Sequence, residues 1–320
     1  MQLQALKSRL AARGPKSSLL RTALRAHARL HGFKVGFSET SISIQKKNRE
    51  MVLSNAQYVQ VPIMMECYEL FFDTIEPAIS NGREVLDFSK PELHKYKRNG
   101  LSFYFPSIPE DDVMDAYTHW YRPKPGDIVW DAGAHAGAST YFLSQMVGPS
   151  GKVYAFEPDE LNRGYLTRNL EMHRAENVVI CEEALAGATG STQFQMDGTM
   201  AAGISEYLVY QGEGQTRIVP TLTLADACQK LGQVPAYIKM DIEGAEVAAI
   251  CGAKEFLQKN PIHFAIESYH RIGVEFTYKA LDRFFPTIGY EVESSDKFGQ
   301  MFTWARPKNG NVSKGNGEKR

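Results

Sequence analysis

The hydrophobic pattern changes character near residue 124. Before it, apolar side chains recur at helical spacing across residues 52–80, through Met64, Tyr68, Leu70, Phe71 and Ile75. "GLSFYFP" then reads as a strand and "DDVMDAYTHWY" as a helix opened by acids. The turn cluster "RPKPGD" closes this region. Beyond it short apolar runs alternate with helical stretches. "DIVWDAG", "KVYAFEP", "NVVICEEAL", "AYIKMD" and "IHFAIES" read as core strands. "ASTYFLSQMV", "ELNRGYLTRNLEMHR", "EGAEVAAICGAKEFLQK" and "TYKALDRFFPTIG" read as the helices between and after them. "STQFQMD" and "TRIVPTLTL" are short strands of an insertion, followed by a small helix, and "YEVESSD" with "QMFTWAR" closes the domain as an antiparallel hairpin.

This alternation predicts an α/β domain over residues 125–306, with a mainly parallel sheet covered by helices on both faces. A mostly helical cap region spans 51–124, a basic arm 1–50 and a disordered tail 307–320. Open sheets of this kind bind ligands beyond the carboxyl ends of their strands, where strand order reverses. That rule singles out Asp131, Glu157, Glu183, Asp241 and Glu267, one acid at the end of each of five consecutive core strands.

The loop "DAGAHAG" follows the first core strand and opens a helix. Gly133 and Gly137 permit the tight turn and close approach of backbone to a ligand. Glu157 ends the next strand 20 residues after Gly137, where an acid grips ribose hydroxyls in nucleotide-binding βαβ units. The spacing G-x-x-x-G departs from the dinucleotide fingerprint. Asp131 at the loop's mouth repels a pyrophosphate and suits a ligand bearing a cation; opposite unit charges at close range gain about 4 kcal/mol at an effective dielectric of 20. The sign favours S-adenosylmethionine, with its ammonium and sulfonium, over NAD. "GPSGK" is not a phosphate loop, because the four-residue gap is missing and a strand follows.

Composition narrows the classes. The 320 residues are 43% hydrophobic and 23% charged, with a formal net charge of −1, which is a soluble globular chain without the footprint of a dedicated nucleic-acid binder. No run of about 18 apolar residues marks a membrane span. Cys67, Cys181, Cys228 and Cys251 show no close pair, so they read as reduced thiols in a cytoplasmic protein. The first 34 residues hold eight Lys or Arg and no acid. Arg21, Arg25 and Arg29 lie beside Leu20, Leu24, Ala28 and Leu30, a basic amphipathic pattern that suits a solvated or loosely docked arm, a targeting segment or weak membrane-surface contact.

The run "VWDAGAHAGASTYFLSQMVGPSGKVYAFEPDELNRGYLTRNLEMH", with "TLTLADA" and "YIKMDIEGAEVAAICGA" further on, resembles the FkbM family of S-adenosylmethionine-dependent methyltransferases. The K-x-D-x-E-G-A-E element at 239–246 is its most specific part. The resemblance implies a class I methyltransferase (Rossmann-like) fold with one antiparallel strand, and methyl transfer to a hydroxyl oxygen. It implies cofactor contacts from Asp131, Gly133, Ala134, His135, Gly137, Glu157, Pro158, Glu183 and Asp241. Asp131 faces the amino group, Glu157 the ribose and Glu183 the adenine. The family more often carries Asn where this chain has His135.

Three acids, Asp241, Glu243 and Glu246, arrive within six residues at the end of a buried strand. With Glu267, His270 and Lys239 they form the rim that accepts the hydroxyl proton, a task worth about 10² to 10⁴ in rate. Asp241, Glu243, Glu267 and His270 are the catalytic candidates. Bland readings stand beside this one: Asp241 as a helix N-cap, Glu243 and Glu246 as first-turn acids favoured by the helix dipole, and His270 as a rim side chain. Asp241, Glu267 and His270 also offer a divalent-cation set, but no spacing is metal-specific, and no metal site is predicted. The expected acceptor is a hydroxyl of a sugar, glycan, lipid or polyketide-type molecule. An NAD-linked oxidoreductase, a non-catalytic nucleotide-binding module and an RNA methyltransferase are the competing readings; oligomeric state is open.

Overall fold

Seven strands build the sheet that carries the strand-end acids. In chain order they are β1 (Ile128–Ala132), β2 (Lys152–Phe156), β3 (Val178–Cys181), β4 (Tyr237–Met240), β5 (His263–Glu267), β6 (Tyr290–Ser295) and β7 (Phe302–Pro307). Their spatial order is β3-β2-β1-β4-β5-β7-β6. The first five are parallel, and β7 runs antiparallel to both neighbours. This is the class I methyltransferase arrangement that the family resemblance implied. Strand order reverses between β1 and β4, so their carboxyl ends flank the crevice expected to bind ligand.

The computed structural model describes residues 17–110, 113–196, 202–208 and 215–308. The chain divides into two compact units, Met1–Asp112 and Val113–Arg320. The division falls before the helix Met114–Tyr117, so that helix belongs with the seven-stranded sheet and not with the cap region ending at 124.

Strand alternation explains the two faces of the sheet. Trp130, Ala132, Ile238, Met240, Phe264 and Ile266 pack in one core layer. Val129, Tyr237, Ala265, Phe302 and Trp304 pack in the other, with Ala116 and Tyr117. Adjacent residues on a strand point to opposite faces, so each core strand is apolar on both. Helices α1 (Ala138–Val147), α2 (Glu160–Met172), α3 (Leu224–Leu231) and α4 (Glu246–Gly252) accompany the first four strands. Asp159 caps α2 by accepting from the Leu161 N–H at 2.8 Å, and Thr223 caps α3 by accepting from the Asp226 N–H at 3.1 Å. The insertion after β3 is a small sheet of its own, ordered Ala184–Leu185, Gln215–Leu222, Gly190–Met196, Gly203–Ile204.

The first unit corrects two expectations. Of a solvated or a loosely docked arm, residues 17–50 are docked, as a helix and strands of the first unit. Ser17 caps a helix, Ser18–Leu30, and Leu20, Leu24 and Ala28 bury its apolar face, which is therefore withheld from a membrane surface. Arg21 and Arg25 instead lie 5.1 Å from the Phe37 ring, within cation–π range. "SISIQK" alternates serine and isoleucine with both isoleucines fully buried, the period of a strand. It joins a five-stranded sheet, ordered Lys34–Phe37, Ser41–Lys46, Arg49–Ser54, Arg83–Phe88, Ala78–Ser80. Residues 51–124 are accordingly mixed and not mostly helical: helices cover 55–66 and 68–74, and strands lie on either side. No described helix is long and apolar enough to cross a membrane. The tail from 309 onward, with residues 1–16 of the arm, lies outside the described residues.

Candidate active site

The glycine loop is held by its neighbours' backbone. The Gly133 and Ala134 N–H groups donate to the Phe156 carbonyl at 3.0 and 3.1 Å, and the Asp241 N–H donates to the Ala132 carbonyl at 2.9 Å. These bonds lock the ends of β1, β2 and β4 together. Gly133 has φ +78°, and a Cβ there would stand 1.7 Å from the Asp241 carbonyl oxygen. Gly137 has φ +88°, and its Cβ would stand 2.3 Å from Leu166 Cδ1. Both glycines are thus required by chain packing, before any ligand is considered.

Asp131 is fully buried. Its Oδ2 accepts from Ser139 Oγ at 2.8 Å and Thr140 Oγ1 at 2.7 Å, both on α1. Its Oδ1 lies 3.0 Å from Lys239 Nζ. Lys239 is the register partner of Asp131 across β1 and β4, on the same sheet face. The ammonium also donates to the Gly133 carbonyl at 2.7 Å. Asp131 therefore spends its charge inside the protein. It ties the first helix, the glycine loop and β4 together.

Glu157, just past β2, is almost entirely buried. One carboxylate oxygen accepts from the His135 N–H at 2.8 Å, the other from the Asp159 N–H at 2.8 Å. Each keeps a lone pair for a hydroxyl. Burial pushes its carboxyl up to about 8, against the pull of those two N–H groups. His135 sits at φ +46°, the turn that aims its N–H at Glu157. Pro158 contributes its carbonyl to Arg163 Nη1 at 2.6 Å, which steadies the strand end. Glu183 is a step removed: its carboxylate pairs with Lys230 on α3.

The end of β4 carries the denser charge. Helix α4 starts at Glu246 with Ala245 as its N-cap residue, so Asp241 is no helix cap and Glu243 is outside the first turn. Glu243 has φ +54°, a conformation non-glycine residues rarely hold. Glu246, with no exposed surface, accepts the N–H groups of Ile242 at 3.1 Å and Gly244 at 3.2 Å. His270, after β5, stands among three acids: Nδ1 is 3.1 Å from Glu246 Oε1, and Nε2 is 3.4 Å from Glu243 Oε2 and 3.8 Å from Asp241 Oδ1. Glu267, the last residue of β5, accepts a hydrogen bond from the Tyr117 hydroxyl.

These contacts divide the group by role. Burial acts to lower the His270 pKa, but the charges of Glu246 and Glu243 prevail and raise it well above the ordinary value. The acids around the ring therefore favour its protonated form over the neutral imidazole. Burial opposes ionisation of Glu246, yet His270 and the backbone N–H groups hold its pKa down. Asp241 is raised well above the usual carboxylate range, first by burial, then by Glu267 and Glu243. Glu267 is raised by burial, with Tyr117 and Lys239 pulling the other way. Five carboxyl groups (131, 241, 243, 246 and 267) thus face two cations, Lys239 and His270.

Tyr117 is the residue sequence reasoning misses. It lies 150 positions from Glu267, on a four-residue helix. No periodicity relates the two. Its ring is also 5.3 Å from Lys239 Nζ, and its carbonyl accepts from the Tyr237 hydroxyl at 2.8 Å. Burial, then Glu267 and Asp241, raise its phenol well above the ordinary value, so it acts as a donor.

Among curated proteins none matches this chain. Several solved structures are similar to this chain at low identity. A methyltransferase FkbM from Methylobacillus flagellatus KT is 19% identical, with TM-score 0.44, covering 59% of this chain and 45% of that one. A precorrin-6y C5,15-methyltransferase from Geobacter metallireducens GS-15 is 16% identical, with TM-score 0.37 and coverage of 62% and 87%. A SAM-dependent methyltransferase from Aquifex aeolicus is 15% identical, with TM-score 0.35 and coverage of 57% and 82%. The matched part therefore spans less than half of the Methylobacillus protein, and none of these overlaps is close enough to transfer a mechanism. The sequence profile of the methyltransferase FkbM domain matches residues 131–300, from the acid of β1 to the β6–β7 turn and so over the crevice described above. The chain belongs to the FkbM methyltransferase family, whose cofactor is S-adenosylmethionine.

Proposed function

We propose that this chain transfers a methyl group to a hydroxyl oxygen of a sugar, glycan, lipid or polyketide-type acceptor. The observation that carries the reading is the surplus of carboxyl groups at the ends of β4 and β5, beside the glycine loop at the switch point. Such a surplus suits a cationic cofactor and an acceptor that must lose a proton.

The donor set fits S-adenosylmethionine. Glu157 has lone pairs for the two ribose hydroxyls, and the backbone of Gly133–Gly137 borders the same strand ends. Asp241, with 23% of its side chain exposed, is more open to a cationic group than the fully buried Asp131. When bound, the cofactor supplies an electrophilic methyl on a sulfonium.

The protein's own groups do the rest. Burial raises the carboxyls of both Asp241 and Glu267, and Glu267 adds to the rise at Asp241, which favours their accepting a proton. Tyr117 orients Glu267 by donating to one of its oxygens. His270 and Glu246 form a fixed pair behind them that sets where Asp241 and Glu243 stand.

Calorimetry with S-adenosylhomocysteine and transfer of labelled methyl to a panel of hydroxyl acceptors test this. Micromolar-range binding is expected, and Asp241→Asn should lower turnover by about 10² to 10⁴. A folded protein that binds no S-adenosylhomocysteine, or an Asp241→Asn variant with undiminished turnover, overturns the reading.

A further inference from the structure

We propose that Asp241, Glu243 and His270 bind one divalent cation of the Mn²⁺ class. One ligand atom from each lies within 4.8 Å of the other two. His270 Nε2 is 3.4 Å from Glu243 Oε2 and 3.8 Å from Asp241 Oδ1. Ligands about 2.1 Å from one ion stand roughly 3 to 3.5 Å apart in neighbouring positions. The three atoms already enclose such a point to within small side-chain adjustments.

Two independent features point to a ligand there. His270, with 9% of its side chain exposed, has no hydrogen bond of good geometry at Nε2, and the buried Asp241 Oδ1 has none either. Buried polar atoms in native proteins are rarely left so. Behind the ring, the Glu246 carboxylate lies 3.1 Å from Nδ1 as an ion pair outside hydrogen-bond geometry, a small ring rotation from a bond, and is itself fixed by two backbone N–H groups. A carboxylate behind a histidine, aiming its other nitrogen outward, is the usual support of a metal-bound imidazole. Without an ion the ring proton occupies this place, so ion and proton compete.

The ligand types choose the ion. Two carboxylates and one imidazole suit Mn²⁺ better than Mg²⁺, which favours oxygen, or Ca²⁺, which takes more ligands. Three protein ligands leave positions open. Resting on the proposed O-methyl transfer, an open position takes the acceptor hydroxyl and makes its proton more acidic. Glu267, outside the ligand set, remains to receive that proton.

Titration of the full chain with Mn²⁺ alone, followed by the loss of the free-ion paramagnetic resonance signal, tests the site without any cofactor. One ion per chain is expected, with ¹⁴N coupling in pulsed spectra from the His270 ring. His270→Ala and Asp241→Asn should each weaken binding at least tenfold, while the exposed Glu171→Gln should not. Failure of the wild-type chain to bind Mn²⁺, or bound Mn²⁺ without nitrogen coupling, removes the proposal, as does His270→Ala binding like wild type. The pulsed measurement needs no variant, so it decides even where a substitution prevents folding. S-adenosylhomocysteine binding, measured on the same sample, shows separately whether the methyltransferase reading stands.

Discussion

Asp131 and Asp241 occupy near-equivalent places, at the carboxyl ends of the adjacent strands β1 and β4, yet the protein treats them in opposite ways. Asp131 has two hydroxyl donors and an ammonium on its two oxygens and no exposed surface. Asp241 has like charges around it, a raised pKa and an opening to solvent. A strand-end acid is therefore not a functional signal by itself. What separates scaffold from chemistry is whether the charge is already answered from within. The glycine loop follows the same logic, since Gly133 is fixed by the Asp241 carbonyl and needs no ligand to explain it.

The sharpest way to break this comparison is to neutralise each aspartate in turn. Asp131→Asn leaves the buried Lys239 ammonium without its counter-charge. It should cost about 3 to 5 kcal/mol in urea denaturation. The double variant Asp131→Asn/Lys239→Met should recover most of the loss, because it removes the stranded charge as well. Asp241→Asn should leave stability unchanged or raise it, because it relieves repulsion from Glu243 and Glu267. Equal losses for both aspartates would mean that the division between them is wrong.

The sequence carried much of the second unit. Five strands with apolar side chains on both faces can only be buried in a parallel sheet, and each acid at their ends was visible in the chain. The role of each acid was not. Nothing near Asp131 in sequence says that Lys239, more than a hundred positions away, will sit beside it; that follows from the β1–β4 register. The Tyr117 hydroxyl on Glu267 depends on the same kind of long-range placement. The free pKa of a histidine suits a base near neutral pH, but the three acids that converge on His270, which no local pattern shows, favour its protonated form. In the first unit the alternation in "SISIQK" is that of a strand, but its place in a five-stranded sheet follows from pairings that no local pattern shows.

Glu157 gives a smaller and graded test, because it lies between the two extremes: hydrogen-bonded like Asp131, but by neutral N–H groups only. Its carboxyl, pushed up to about 8 by burial, is mostly protonated at neutral pH in the free chain. The sign follows from linkage. The folded state holds this proton more tightly than the unfolded state, so its contribution favours folding below the unfolded value, near 4.5, and is lost as pH rises through about 8. Ribose hydroxyls donate to the ionised form, so binding favours release of the proton. The affinity for S-adenosylhomocysteine should therefore rise between pH 6 and pH 8, by at most about tenfold per pH unit, and level off above. Glu157→Gln should flatten that rise. A flat profile in the wild type would mean that Glu157 does not meet the ligand.

Glu183 completes the series with the smallest expected effect. Its partner Lys230 is half exposed, in contrast to Lys239 behind Asp131. A solvent-facing pair of this kind is screened and typically contributes about 0.2 to 1 kcal/mol, so Lys230→Ala should shift the denaturation midpoint only slightly. It frees the Glu183 carboxylate beside the shallow cavity formed with Arg163, Ile180 and Cys181. If the adenine of the cofactor lies there, as the family resemblance implies, Glu183→Gln should weaken S-adenosylhomocysteine binding several-fold while Lys230→Ala leaves it nearly unchanged. Matched effects from the two variants would show instead that the ion pair acts as one unit, and that Glu183 belongs with Asp131 among the acids answered from within.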